Sequence, residues 1–175
     1  MRITISGSPG SGTTTLGRRI ADKFGFKYVS AGEVFRALAK ERNMELADFG
    51  RLAKQNPEID KDIDASQKKI GEESDDIIIE GRLAGWMVEN ADLKVYLYAS
   101  EKCRSERIAE RENRTVEEAY NLTIEREKCE AGRYMEYYNI DIADYSPYDI
   151  VISSETFGVD ELYAVIETAV NSLKK

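Results

Sequence analysis

The sequence predicts an α/β fold built on a parallel sheet, and three observations predict it. A short β-branched run, Ile3-Thr4-Ile5, leads directly into the glycine-rich stretch Gly7 to Gly12. Ile77-Ile78-Ile79 is a run of consecutive branched residues, which suits a strand buried on both faces. Around these, short apolar runs alternate with longer stretches at helical spacing, the pattern of βα units wound in one direction.

Taken in order, the first run reads as strand, tight loop, helix. After Gly12 the apolar positions Leu16, Ile20, Ala21 and Phe24 recur at helical spacing until Gly25 stops the helix. Phe26 to Ser30 is expected as a second strand. Helical patterns fill Ala31 to Arg42, Leu46 to Gln55 and Ile59 to Ile70, with Asn56-Pro57 as the boundary between the last two. The central strand ends at Glu80-Gly81, and a helix follows through Met87. Leu93 to Tyr98 gives a strand, Lys102 to Glu112 a charged helix, and Val116 to Tyr138 a long, densely charged one. Asp141 to Pro147 is loop-like, Tyr148 to Ile152 a last strand, and Val159 to Leu173 a last helix.

With 175 residues and 42% apolar content, the chain suits one domain carrying inserts. No apolar run approaches the ~20 residues needed to cross a bilayer, and Met1 leads into the glycine loop without a signal segment, so a cytoplasmic protein is expected. Cys103 and Cys129 lack C-x-x-C spacing and read as reduced packing thiols. A net charge of −8 is the wrong balance for binding long nucleic acid, although a small polyanion needs only a local convergence of cations. The chain has no histidine, which removes the commonest general base and most zinc chemistry.

Gly7-Ser8-Pro9-Gly10-Ser11-Gly12-Thr13-Thr14 fits the phosphate-loop pattern G-x-x-x-x-G-K-S/T everywhere except the lysine, where Thr13 stands. The backbone logic is intact: glycines turn successive N–H groups inward, and the following helix aims its N-terminus at an anion. Thr14 supplies a hydroxyl for magnesium, and Thr15 one for a phosphate. Without the lysine, arginines elsewhere must stabilise a transferring phosphoryl group.

Candidates follow from position. Gly32 opens a helix after the second strand, and Arg36 lies one turn along. Glu80 and Arg82 stand at the carboxyl end of the central strand, where open α/β sheets gather ligands, with Glu80 near magnesium through water and Arg82 near an acceptor phosphate. Arg104, Arg107, Arg111 and Arg114 share one side of a helix and its exit, and Arg126 and Arg133 lie two turns apart on one face. Each has an ordinary alternative, a capping carboxylate or a salt-bridged surface.

These segments together resemble the nucleoside monophosphate kinases, and most closely the cytidylate kinases of the short archaeal type. GSPGSGTTT at Gly7 to Thr15 is similar to that family's phosphate loop, threonine included. SAGEVFR at Ser30 to Arg36 is similar to its monophosphate-binding segment, and EGRLAGWMVENADLKVYLYAS at Glu80 to Ser100 to its EGR and ADLK-strand region. The likeness covers almost the whole chain. It implies a P-loop NTPase-type, five-stranded parallel sheet with helices on both faces, formed by residues 1–30 and 75–175. It also implies a helical monophosphate-binding insert at about 31–69 and a short lid at about 111–115.

The implied reaction is transfer of the γ-phosphoryl group from ATP, with Mg2+, to CMP and dCMP by a monomer. The implied ATP site is Gly7, Ser8, Pro9, Gly10, Ser11, Gly12, Thr13, Thr14 and Thr15, with Thr14 and Glu80 on the metal. Ser30, Gly32, Arg36, Asp64 and Arg82 would hold the acceptor, and Arg107, Arg111, Arg126 and Arg133 would surround the transferring group. Asp64, Gln67, Asp141 and Asp144 are the alternatives for reading the base. Two rivals are a kinase of the same fold acting on a hydroxyl, with Glu33 or Glu80 as base, and a nucleotide-binding switch without catalysis.

Overall fold

A computed structural model describes residues 1–174. Five strands, β1 (Arg2–Gly7), β2 (Lys27–Ser30), β3 (Ile77–Glu80), β4 (Leu93–Tyr98) and β5 (Ile150–Ser153), form one sheet in the order β2-β3-β1-β4-β5. Every pairing is parallel, with Ile3 opposite Ile78 and Ile5 opposite Glu80. The α/β fold with a five-stranded parallel sheet is thus the one expected. β1 lies centrally, so the loop that follows it emerges at the middle of the sheet's carboxyl edge.

Eight helices cover the sheet: α1 (Thr13–Phe24), α2 (Ala31–Glu41), α3 (Leu46–Gln55), α4 (Glu58–Glu73), α5 (Ala84–Met87), α6 (Glu101–Glu112), α7 (Val116–Tyr138) and α8 (Val159–Leu173). Alternation along the strands sends side chains to two faces. Ile3, Ile5 and Ile78 pack with Leu16 and Ile20 of α1 and Leu162 and Ile166 of α8. Ile77 and Ile79 pack on the opposite face with Ala84 and Val88. β3 is buried at all four positions, as its unbroken branched run requires.

The helices α2 to α4 interrupt the alternation between β2 and β3. They carry a small core of their own, Ala39, Phe49, Ala53, Ile59 and Ile63, with Phe35 stacked against Phe49 at 4.7 Å. The helical segment runs on to Glu73, three residues past the expected end at Ile70, because Gly71 lets α4 close on Val88 and Ile79. α6 and α7 meet at a tight turn in which Asn113 ends one helix in the left-handed conformation. Thr115 and Glu118 then start the next with a reciprocal capping box.

Two strand starts differ from the sequence expectation. Phe26 precedes β2 because its N–H returns to the Ala21 carbonyl, closing α1 through left-handed Gly25. β5 starts at Ile150 because Tyr148 closes a turn on Tyr145 and lays its ring on Tyr96 at 5.0 Å. The helix after Glu80-Gly81 is the single turn α5. Cys103 and Cys129 are free thiols, and no helix among the described residues is long and apolar enough to cross a membrane.

Gly85 of α5 leaves room for the Tyr148 ring, two of whose atoms lie 3.0 Å from where a Cβ would stand. Gly85→Ala is therefore expected to lower the urea midpoint, by about 1–3 kcal/mol in unfolding free energy at unchanged m. A midpoint at or above that of the unsubstituted protein would mean that the ring yields freely.

Candidate active site

Between β1 and α1 the chain wraps into a loop whose left-handed residues are Gly10 (φ 86°) and Gly12 (φ 92°). Both conformations are disfavoured for side-chain-bearing residues. A Cβ on Gly10 would also lie 2.8 Å from the Arg104 carbonyl oxygen, so the loop sits hard against α6. Gly12 caps α1 without a side chain, which leaves the first N–H groups of that helix free to bind an anion. Gly7, Ser8, Pro9, Gly10, Thr13 and Thr14 line an open cleft at the carboxyl edge of the sheet. Ser11 is buried behind the loop and Thr15 is exposed on α1, neither lining the cleft.

Thr13, at the lysine position, donates its hydroxyl to Glu80 Oε1 at 2.7 Å. Glu80 Oε2 accepts from the Ser30 hydroxyl and from Tyr28 at 3.3 Å. Burial, helped by the charge of Glu80, pushes the Tyr28 phenol well up, so it stays a donor. Ser30 in turn caps α2, its hydroxyl oxygen accepting from the Glu33 N–H at 3.2 Å. One carboxylate thus joins the ends of β3 and β2 and the first turn of α1.

The arginines divide into two groups. Arg36, Arg82, Arg111, Arg126 and Arg133 line the cleft with Gly32. Arg36 lies over Gly32 and makes no ion pair among the described residues. Burial lowers its pKa, and Arg126 and Arg111 nearby lower it further. Arg126 pairs with Glu130 at 2.7 Å, and exposed Arg111 with its neighbour Glu112 at 2.6 Å. Arg82 reaches Ser8 Oγ at 2.7 Å and Glu130 at 3.1 Å, and Arg133 is ion-paired with buried Asp60.

Arg107 is a correction: it does not line the cleft. It donates instead to the Gly10 carbonyl at 3.3 Å and to the carbonyl and hydroxyl oxygens of Ser154 at 2.7 and 3.1 Å, bracing the loop against the end of β5. α6 passes behind the loop, so only its last turn reaches the cleft mouth. Ser30 acts through its bonds to Glu80 and Glu33 rather than from the cleft wall. Arg114 pairs with Glu45, in the turn between α2 and α3, at 3.3 Å.

Asp64 lines the inner end of the cleft and accepts from the Tyr138 hydroxyl at 2.9 Å. Gln67 is buried beneath the wall, its amide donating to the Glu80 carbonyl at 3.0 Å. Asp141 and Asp144 lie in an exposed turn and accept from the N–H groups two residues on, away from the cleft.

Sequence reasoning missed two residues, Glu127 and Glu130, and did not separate Arg104 from the other arginines of its helix. Arg104 is 4% exposed, holds Glu127 with two bonds of 2.6 and 3.1 Å, and donates to the Pro9 carbonyl at 3.1 Å. Glu130 is fully enclosed. Burial would raise its pKa, but Arg126 and Arg82 outweigh that and hold it below the usual range. The signal was the polar stripe Thr123, Arg126, Glu127, Glu130 and Arg133 at helical spacing on α7, which in one charge-rich helix looks like any solvated face.

A family model described as the cytidylate kinase-like family matches residues 2–156. A cytidylate kinase of Methanocorpusculum labreanum is 69% identical over 175 residues, covering 100% of this chain and 99% of that one. A cytidylate kinase of Pyrococcus furiosus is 48% identical over 171 residues, covering 98% of this chain and 88% of the relative. Among solved structures, an uncharacterised protein of Eubacterium ventriosum superposes with a TM-score of 0.72 at 19% identity, covering 98% of this chain and 99% of that one. Shikimate kinase of Aquifex aeolicus does so at 0.60 and 18%, covering 98% and 96%. At such identities these two share the fold.

Truncating Arg104 leaves half-buried Glu127 with only Arg82, 3.5 Å away. Arg104→Ala is expected to cost about 3–5 kcal/mol of stability in urea unfolding, and Arg104→Met with Glu127→Leu to recover much of it. Equal losses in both variants would show that the pair is not the source of the effect.

Proposed function

The chain belongs to the cytidylate kinase-like family, and on that footing we propose that it transfers the γ-phosphoryl group of ATP to CMP, and to dCMP, giving CDP or dCDP and ADP. The observation that carries this reading is the convergence, in one cleft, of a glycine loop with free helix N–H groups and of Arg36, a cleft-lining guanidinium that makes no ion pair among the described residues. Such a cleft suits two phosphate chains brought end to end.

In the proposed reaction an α-phosphate oxygen of CMP attacks the γ-phosphorus in line. The new O–P bond forms as the bond to the bridging oxygen breaks, and that electron pair leaves on ADP. The nucleophile is already anionic, so no general base is needed and the lack of histidine costs nothing. Loop amides, Thr13 and Thr14 hold the ATP phosphates, while Gly32, Arg36 and Arg82 hold the acceptor. Arg126 and Arg111 neutralise charge developing on the transferring group. Arg133, spent on Asp60, positions the wall of the acceptor site, and Arg107 keeps the loop in shape.

Magnesium fits the donor set. The Thr14 hydroxyl and Glu80 line the same cleft, and Glu80, with hydroxyl donors on both oxygens, retains lone pairs for an ion's water. Thr14 directly and Glu80 through water would hold it, and when bound it supplies positive charge to the donor phosphates. The helices α2 to α4 serve as the acceptor-binding insert and the α6–α7 turn as a lid, in a cytoplasmic monomer acting on small nucleotides.

A coupled assay over CMP, dCMP, UMP, AMP and shikimate is expected to show CMP and dCMP as the preferred acceptors. Arg36→Ala should raise the KM for CMP most, and Arg111→Ala or Arg126→Ala should lower kcat by on the order of 10³. CMP turnover no faster than AMP or UMP would sink the acceptor assignment. A kcat within a few-fold of the unsubstituted protein for both lid-side variants would remove Arg111 and Arg126 from the transfer step.

A further inference from the structure

At the inner end of the cleft, two acids of α4 stand one turn apart and are held in different ways. Asp60 is ion-paired with Arg133, which also donates to the Gly50 carbonyl, so the charges of that pair are spent inside the wall. Asp64 is 9% exposed, lines the cleft and has no cation partner among the described residues. Its Oδ2 accepts from the Tyr138 hydroxyl at 2.9 Å, and Oδ1 has no partner there. Ile63, Leu83 and Tyr134 line the cleft with it and offer apolar surface to a ring. A flat heterocycle entering from the phosphate end would meet one carboxyl group with a free oxygen.

We propose that Asp64, steadied by Tyr138, reads the 4-substituent of the acceptor pyrimidine, accepting from a 4-amino group when ionised and donating to a 4-oxo group when protonated. The choice between a 4-amino and a 4-oxo pyrimidine monophosphate then turns with pH. This rests on the pyrimidine monophosphate reading above and adds which residue discriminates and what sets it.

The groups packed around Asp64 set where the turn falls. Burial pushes its carboxyl up to about 7. The Tyr138 hydroxyl and Arg133, both on α7, oppose the rise, and the charge of Asp60 on α4 adds to it. Tyr134, on the same face of α7, is held well above its ordinary value by burial and the nearby carboxylates and stays neutral. The buried residues of α3, Phe49 and Ala53, and Ala84 of α5 carry no charge, while Arg36 of α2 and Glu80 of β3 face the cleft nearer the phosphates. Protonation and ionisation of Asp64 therefore exchange near neutrality and not in the ordinary carboxylate range around 4.

The test is the ratio of kcat/KM for CMP to that for UMP, measured at saturating ATP from about pH 5.5 to about pH 8.5. kcat/KM reports ionisations of the protein before the acceptor binds. Both acceptors carry the same phosphate, titrating near ~6, so its contribution cancels in the ratio. The ratio is expected to rise roughly tenfold or more between about pH 6 and about pH 8. In Asp64→Asn it should be nearly flat and much smaller. In Tyr138→Phe the same rise should be displaced to higher pH, because the lost O–H no longer favours the ionised carboxylate. A tyrosine that merely packed would leave the midpoint in place, and an unmoved midpoint removes Tyr138 from the proposal.

A pH-independent ratio in the unsubstituted protein overturns the inference, and so does an Asp64→Asn variant with the original profile. The first measurement needs no variant, so poor folding of Asp64→Asn leaves the test standing. Absence of CMP turnover at every pH overturns the function reading itself, and this inference with it.

Discussion

The site hangs on two carboxylates of α7, one half-buried and one buried. Glu127 and Glu130, three residues apart on one face, hold Arg104, Arg82 and Arg126 between them. Two of those guanidiniums also grip the phosphate loop, Arg104 through the Pro9 carbonyl and Arg82 through the Ser8 hydroxyl. Buried ion pairs of this kind add little net stability, because desolvating both partners offsets their attraction. Their effect is positional: α7, the longest helix, fixes the outer wall of a loop whose left-handed glycines would otherwise leave it free to rearrange. Arg107, bonded to the Gly10 carbonyl and to Ser154, completes the clamp from the side of β5.

That arrangement neutralises most of the cleft and leaves Arg36 over. Arg36, beside Arg126 and Arg111 and without an ion pair among the described residues, meets like charge, and desolvation together with those two neighbours lowers its pKa. An anionic ligand relieves it, so part of the binding free energy is set aside in the fold. The overall charge of −8 does not oppose this, since the focused local field governs a small ligand's approach. Thr13 fits the same division of labour. Its hydroxyl ties the loop to Glu80, and in the proposed reaction the cation that a lysine would bring comes from helices on the far side of the cleft.

Much of the fold was legible because branched runs and glycines have few alternative uses. Ile77 to Ile79 had to be a doubly buried strand, and Gly10 and Gly12 had to turn. The misplaced strand starts at Phe26 and Tyr148 have a common cause, since both are apolar residues that pack on the core while their N–H groups close a preceding turn. Among candidate site residues, Arg36 and Arg82 were legible because they follow strand ends directly. Arg104 and Arg107 were not separable from Arg111, because helical spacing gives a shared face but not which turn of the helix meets which part of the loop. Likewise Arg126 and Arg133 share a face and a cleft, yet only tertiary packing brings Asp60 onto one of them. Glu127 and Glu130 differ from the exposed glutamates of α6 in burial alone, which no local pattern records.

The missing histidine sharpens what burial has to do. In a chain without imidazoles, a carboxyl that changes charge near neutral pH has to be moved there, and of the three buried acids on the inner wall burial raises Asp60 and Asp64 while Glu130 is held low. Glu130 is enclosed by Arg126 and Arg82, whose charges overcome desolvation and hold it ionised, which suits a fixed strut. Asp64 meets only a neutral hydroxyl at close range, so desolvation wins and its carboxyl rises to about 7. Two carboxyls on one wall are thus pushed apart by their partners, one toward permanent charge and one toward change. Such divergence is how a site separates what holds it together from what responds to a ligand.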